Sequence, residues 1–67
     1  MSDDKQIYDL KNQYKTTVYP NTRRRILDTL AVYGPKAINH INELLPLTVD
    51  PDVKAYGLDL IQKIREK

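Results

Sequence analysis

The chain has 67 residues, of which 11 are Lys or Arg and 9 are Asp or Glu, for a formal net charge of +2. With 40% hydrophobic and 30% charged residues, it has the composition of an ordinary globular domain, and its charge is too small and too mixed to mark a nucleic-acid-binding tail. It contains no cysteine, which excludes both a disulfide and a thiolate metal site as a staple.

This length allows one domain, 1–67, with a small core. A chain of this size buries only roughly 60% of the surface its unfolded form exposes, so stability must come from well-ordered packing or from self-association. No apolar run reaches the roughly 20 residues a membrane helix needs. Met1-Ser2-Asp3-Asp4-Lys5 is polar and acidic, without the basic-then-apolar layout of a signal peptide. The expectation is a cytoplasmic protein with no membrane contact.

In chain order, Ile7, Leu10, Tyr14 and Val18 are spaced by three and four and predict a first helix from about Asp3 to Thr17. Ser2, Asp3 or Asp4 can cap it, and the acidic pair suits the positive end of its dipole. Pro20 breaks the pattern, and Asn21 or Thr22 can cap a second helix whose stripe is Ile26, Leu27, Leu30 and Tyr33. Gly34 stands where a left-handed residue closes a helix, and Pro35 where a new one begins.

A third helix is predicted from Pro35 to about Leu45, with Ala37, Ile38, Ile41, Leu44 and Leu45 inward and Asn39, His40 and Glu43 outward. Pro46 ends it or distorts its last turn. Asp50 caps the fourth helix and Pro51 takes its first position. Val53, Tyr56, Leu60, Ile61 and Ile64 form the most regular stripe of the chain, and Lys63, Arg65 and Lys67 suit the negative end of the dipole. No stretch alternates with period two long enough to be a strand. The fold class is therefore all-α with four helices.

The two halves repeat. At an offset of 31 residues, Thr17-Val18-Tyr19-Pro20 aligns with Thr48-Val49-Asp50-Pro51, and Leu27-Asp28 with Leu58-Asp59. The offset also pairs Ile7 with Ile38, Leu10 with Ile41, Tyr14 with Leu45, Arg23 with Lys54 and Leu30 with Ile61. Two unrelated amphipathic helices would match at apolar positions alone. They would not also share the Thr-Val-x-Pro turn and the Leu-Asp step.

These residues resemble HEAT repeats. Asp50-Pro51-Asp52-Val53-Lys54 is similar to the Asp-Pro-x-Val-Arg-like run that opens the second helix of that family's unit. Tyr33-Gly34-Pro35-Lys36-Ala37-Ile38 resembles the Leu-Gly-Pro-x-Ala-hydrophobic junction between successive units. The resemblance spans the chain as two units, about 3–33 and 35–66, the first departing from the pattern in Tyr19-Pro20-Asn21-Thr22-Arg23. It implies two stacked HEAT-like helical hairpins, a fragment of an α-α superhelix, with the second helix of each unit lining a concave binding face. The family motif says little about activity.

Stacked hairpins need neighbours to bury their stripes, and about three units are normally wanted. The first helix, with Lys5, Gln6, Asp9, Lys11, Asn12, Gln13 and Lys15, reads as a polar cap. The fourth helix carries Leu58, whose repeat-mate Leu27 would pack on the following unit, while Leu58 is expected to have no such unit. This predicts self-association through Leu58, against a monomer that leaves one leucine half-exposed.

Chemistry is sparse. His40 is the only histidine and, with Glu43 alone nearby, makes neither a metal site nor a triad. Gly34 and Gly57 are the only glycines, so no phosphate loop exists. Gly57, mid-helix at a cost of roughly 1 kcal/mol against alanine, predicts close helix approach. The expectation is a protein that is not an enzyme and takes no cofactor.

Arg23-Arg24-Arg25 sits in a first helical turn, opposing the dipole. Arg23 is expected to serve the inter-helix turn or a nearby carboxylate. Arg24, Arg25 and Asp28, with Ala55, Asp59 and Gln62 on the neighbouring helix, form the candidate surface for a protein or peptide partner. It is weighed against a solvated face with an Arg24–Asp28 pair worth about 0.3 kcal/mol. Nucleic-acid backbone binding through Arg23, Arg24, Arg25 and Lys36 is the alternative, and the low net charge argues against it. Tyr14, Tyr33 and Tyr56 are expected in the core, Tyr8 and Tyr19 outside it.

Overall fold

The structure, a computed structural model, describes residues 2–66; Met1 and Lys67 lie outside the described residues. It is all-α, with four α-helices and no strand among the described residues: α1 Ser2–Thr16, α2 Pro20–Ala31, α3 Ile38–Leu44 and α4 Pro51–Arg65. Two 3₁₀ turns, Gly34–Ala37 and Leu45–Leu47, flank α3.

Asp3 and Asp4 lie inside helix α1, in its first turn, so neither caps it; the Ser2 side chain lies outside what the structure describes. The helix stops at Thr16, and Val18 is 80% exposed rather than part of the buried stripe. The chain turns extended ahead of Pro20, because a residue before proline is pushed out of the helical region, and this rotates the valine into solvent. Helix α2 starts two or three residues earlier than Asn21 or Thr22 as cap would place it. Its N-cap is Tyr19, with no side-chain cap, and Pro20 follows immediately. Asn21 turns its side chain to Arg24 instead.

Gly34 has φ +76°, the left-handed closure its position predicts. The third helix is shorter than expected. Pro35 and Pro46 each remove a backbone donor, and the turns around them tighten to 3₁₀, leaving seven α-helical residues. Helix α4 begins as the sequence dictates: Asp50 Oδ1 accepts from the N–H of Asp52 at 2.9 Å and of Val53 at 3.4 Å, and Pro51 opens the helix.

Helix α1 packs on α2 and α3, and α4 packs on α2 and α3. The core they enclose comprises Ile7, Tyr14, Ile26, Leu27, Leu30, Ala37, Ile41, Leu44, Leu45, Val53 and Ile61, with Leu10, Tyr33, Ile38, Tyr56, Leu60 and Ile64 around it. Gly57 lets α4 approach: a Cβ there would lie 2.7 Å from Leu45 Cδ2 and 3.5 Å from Leu27 Cδ1. Thr48 is the one buried polar residue among those described. Its hydroxyl meets that of fully buried Tyr14 and also donates to the Leu44 carbonyl at 3.0 Å. Since the threonine proton goes to Leu44, the tyrosine must be the donor to Thr48.

Candidate functional site

The candidate surface is built on α2 and α4. Helical geometry puts Arg24 and Asp28 one turn apart on α2, and Ala55, Asp59 and Gln62 on successive turns of α4. Ala55, Asp59, Gln62, Asp28 and Arg25 are exposed and Arg24 is half-buried.

Most of the charges on this face are engaged within the molecule. Arg24 donates to Asn21 Oδ1 rather than pairing with Asp28. Asp28 instead accepts from the Tyr56 hydroxyl, 2.6 Å from Oδ1 and 2.8 Å from Oδ2. This bond bridges α2 and α4. It holds the Tyr56 phenol above its ordinary pKa, first because Asp28 accepts the proton and second because burial disfavours a phenolate. Asp59 pairs with Lys63 one turn on, at 3.1 Å. Arg25 lies about 100° further round α2 than Arg24, and its side chain makes no hydrogen bond or ion pair among the described residues.

Arg23 serves the turn, as its position suggests. Its Nε donates to the Thr17 carbonyl at 3.1 Å, and its guanidinium lies 4.7 Å from the centre of the Tyr14 ring. Of the three consecutive arginines, two are therefore committed within the molecule. Lys36, the fourth cation of a phosphate-binding reading, pairs with Asp3 at 2.8 Å, and this holds the Asp3 carboxyl below its ordinary range.

Leu58 is 53% exposed, whereas Leu27 at the matching repeat position is fully buried. Leu58 borders a shallow groove with Asn42, Ile61, Gln62 and Arg65, between α3 and α4. Gln62 thus belongs with this flank as much as with the Asp28–Tyr56 face.

His40 is not a freely solvated side chain. Its ring is half-buried against α1, where Lys11 Nζ lies 3.2 Å from Nδ1. An ammonium can only donate, so Nδ1 accepts and the ring proton sits on Nε2. Lys11 also pairs with Glu43 at 2.7 Å and, with its side chain only 16% exposed, ties α1 to α3 instead of belonging to an outer polar cap. The lysine holds the Glu43 carboxyl below its ordinary range, first through their hydrogen bond. Among the described residues, no group of three or more His, Cys, Asp or Glu side chains could hold a metal ion.

One feature escaped the sequence pattern altogether. The two Thr-Val-x-Pro corners lie together, and Val18, Pro20, Arg23, Val49, Asp50 and Asp52 line one open depression between them. Both valines are exposed, at 80% and 92%. The signal was there in the repeated valine, placed between a helix end and a proline, but helical periodicity placed Val18 on the stripe of the first helix.

No helix among the described residues is long and apolar enough to cross a membrane. Comparison of the chain with protein-family models, with curated proteins and with solved structures finds no match.

Proposed function

We propose that the chain is a non-catalytic protein-binding module of HEAT-repeat type, formed by two helical hairpins stacked side by side. The first hairpin is α1 with α2, and the second is α3 with α4. Packing of α1 on α3 and of α2 on α4 supports this arrangement, as does the shared depression bordered by the matching residues Val18 and Val49.

The observation that carries the functional reading is the contrast between two repeat-mates. Leu27 is sealed because α4 lies over it at Gly57. Leu58 occupies the same place in the second hairpin and is left 53% exposed. A stack of this kind grows by covering that residue, so the α4 flank is where a partner or a further helical unit docks. The α2–α4 face with Arg24, Arg25, Asp28, Ala55, Asp59 and Gln62 would then border the docked partner.

The test is affinity capture with three baits: wild type, Leu58→Asp, and Arg24→Glu/Arg25→Glu. Loss of captured proteins with Leu58→Asp supports the α4 flank, and loss with the arginine pair supports the adjoining face. The same captured set for all three baits would remove both surfaces. Two of the three consecutive arginines and Lys36 being engaged internally, a nucleic-acid backbone has little left to bind.

A further inference from the structure

One side-chain cluster belongs to neither of the proposed binding surfaces: Lys11, His40 and Glu43. Helix α1 packs on α3, and among the described residues both side-chain hydrogen bonds between these helices come from Lys11. Its Nζ lies 3.2 Å from His40 Nδ1 and 2.7 Å from Glu43 Oε2. The same Glu43 oxygen is 3.6 Å from Nδ1, just outside hydrogen-bond range. The three atoms form a triangle in which an ammonium, a donor only, holds two acceptors. Glu43 stands one turn from His40 on its own helix, whereas the lysine comes from the other.

We propose that this triangle is a pH-operated latch between α1 and α3, closed while the His40 ring is neutral and opened when the ring takes a proton from solvent. The ring is half-buried, so water reaches it. Protonation at Nδ1 turns an acceptor into a donor. Lys11 thereby loses one of its two bonds and faces a second positive charge 3.2 Å away. Glu43 then lies between two cations. The imidazolium is three residues away on the same helix, the spacing at which helical side chains meet. A small rotation of the ring brings its N–H onto the carboxylate, and this short side chain loses less freedom in the pair than a lysine stem does. Lys11 turns out to water. An ion pair between helices becomes one inside α3, and α1 keeps only its apolar contacts with that helix.

No other charge near the triangle interferes. From α1, Lys15 acts on Glu43 through space, behind Lys11. In the turns that flank α3, Lys36 is held by Asp3. On α2, Arg23, Arg24 and Asp28 are bonded elsewhere. On α4, Arg65 borders Asn42 and makes no hydrogen bond or ion pair with His40 or Glu43. Histidine is the side chain that changes charge between about pH 5 and 8, and His40 is the only one in the chain. Glu43, held below the ordinary carboxylate range by Lys11, stays ionised over that interval and is available to either cation. The latch does not depend on whether the α4 flank binds a partner.

Nuclear magnetic resonance of the nitrogen-15-labelled chain, from about pH 8 to pH 5, tests the proposal. The ring nitrogen shifts should place the proton of neutral His40 on Nε2 and then follow protonation of Nδ1. Over the same steps, the hydrogen-exchange protection factors of the α1 amides should fall about three- to tenfold, the loss expected of one such bond. His40→Asn puts an amide oxygen where Nδ1 stands and does not titrate, so its α1 protection should stay level. If its circular dichroism differs from that of wild type, His40→Gln takes its place. A neutral ring that carries its proton on Nδ1 overturns the proposal. So does α1 protection that stays level while His40 titrates, or an equal fall in the folded variant, which would assign the pH dependence to another group.

Discussion

The buried Tyr14–Thr48–Leu44 chain of hydrogen bonds ties the end of α1 to the corner that precedes α4, and it makes a prediction whose sign can be worked out. Tyr14 is fully buried and donates to the Thr48 hydroxyl, which donates to the Leu44 carbonyl at 3.0 Å. Tyr14→Phe removes one hydroxyl and leaves Thr48 still bonded to Leu44. The cost is that of one net hydrogen bond, about 1 kcal/mol. In a domain of this size that lowers Tm by about 4–8 °C. Thr48→Val keeps the shape but strands the hydroxyl of the fully buried tyrosine, and an unsatisfied buried donor costs about 1–3 kcal/mol. Thr48→Val is therefore the more damaging of the two. Adding Tyr14→Phe to it removes the stranded donor, so the double variant should be more stable than Thr48→Val alone, a coupling of about 1 kcal/mol. Urea unfolding followed at 222 nm measures all four proteins. Additive losses, or a Thr48→Val variant more stable than Tyr14→Phe, would refute the buried-donor reasoning.

Gly57→Ala gains roughly 1 kcal/mol of helix propensity but sets a Cβ 2.7 Å from Leu45 Cδ2 in a filled core. Overpacking of about 1–3 kcal/mol should make the variant less stable in thermal unfolding, and a gain would show that Leu45 moves aside freely. Gly34→Ala meets no neighbouring atom but must hold φ +76°, which costs about 1–2 kcal/mol and should appear as a matching fall in the urea midpoint. Asp3 and Glu43 have folded-state pKa values below their ordinary 3.8 and 4.5. Their ion pairs therefore contribute fully above those values, and the contribution is lost as pH falls through the depressed ones. The acid limb of a stability–pH profile should flatten in Asp3→Asn/Glu43→Gln. Tyr56 is shifted the other way, above 10.0, chiefly by its bond to Asp28. That contribution is present below pH 10 and fades as pH rises through the raised value. Phenolate absorbance, taken as the difference from Tyr56→Phe, should titrate lower in Asp28→Ala, and an unchanged titration would dissociate the pair.

What the sequence made legible was local. Asp50-Pro51 specifies a cap and a first helical position within two residues, and α4 begins there. Gly34 specifies a left-handed residue by lacking a Cβ, and it adopts one. The stripes of α2 and α4 follow from spacing alone, and Ile26, Leu27, Leu30, Val53 and Ile61 are all buried. Periodicity failed at Val18 because a helical pattern continues in the sequence past the point where proline forbids the helix. It overestimated α3 because Pro35 and Pro46 tighten both of its ends.

The remaining features depend on how the helices meet. Tyr56 finds Asp28, Lys11 finds His40 and Glu43, and Tyr14 finds Thr48 only after the helices pack. Partners so distant in the chain leave no local signature. The candidate arginines show the same divide. That Arg23 belongs to the turn could be read from its repeat-mate Lys54. That Arg24 chooses Asn21 over Asp28 could not, because Asp28 is claimed by a tyrosine on another helix.

Methyl-resolved nuclear Overhauser spectroscopy tests most directly whether the two halves are hairpins stacked in register. Contacts should link the Leu27 methyls to the Gly57 α-protons and the Tyr14 ring to the Thr48 methyl. A spectrum in which α1 side chains contact α4 extensively and Leu27 lies apart from Gly57 would contradict the stacked arrangement and the open flank that follows from it.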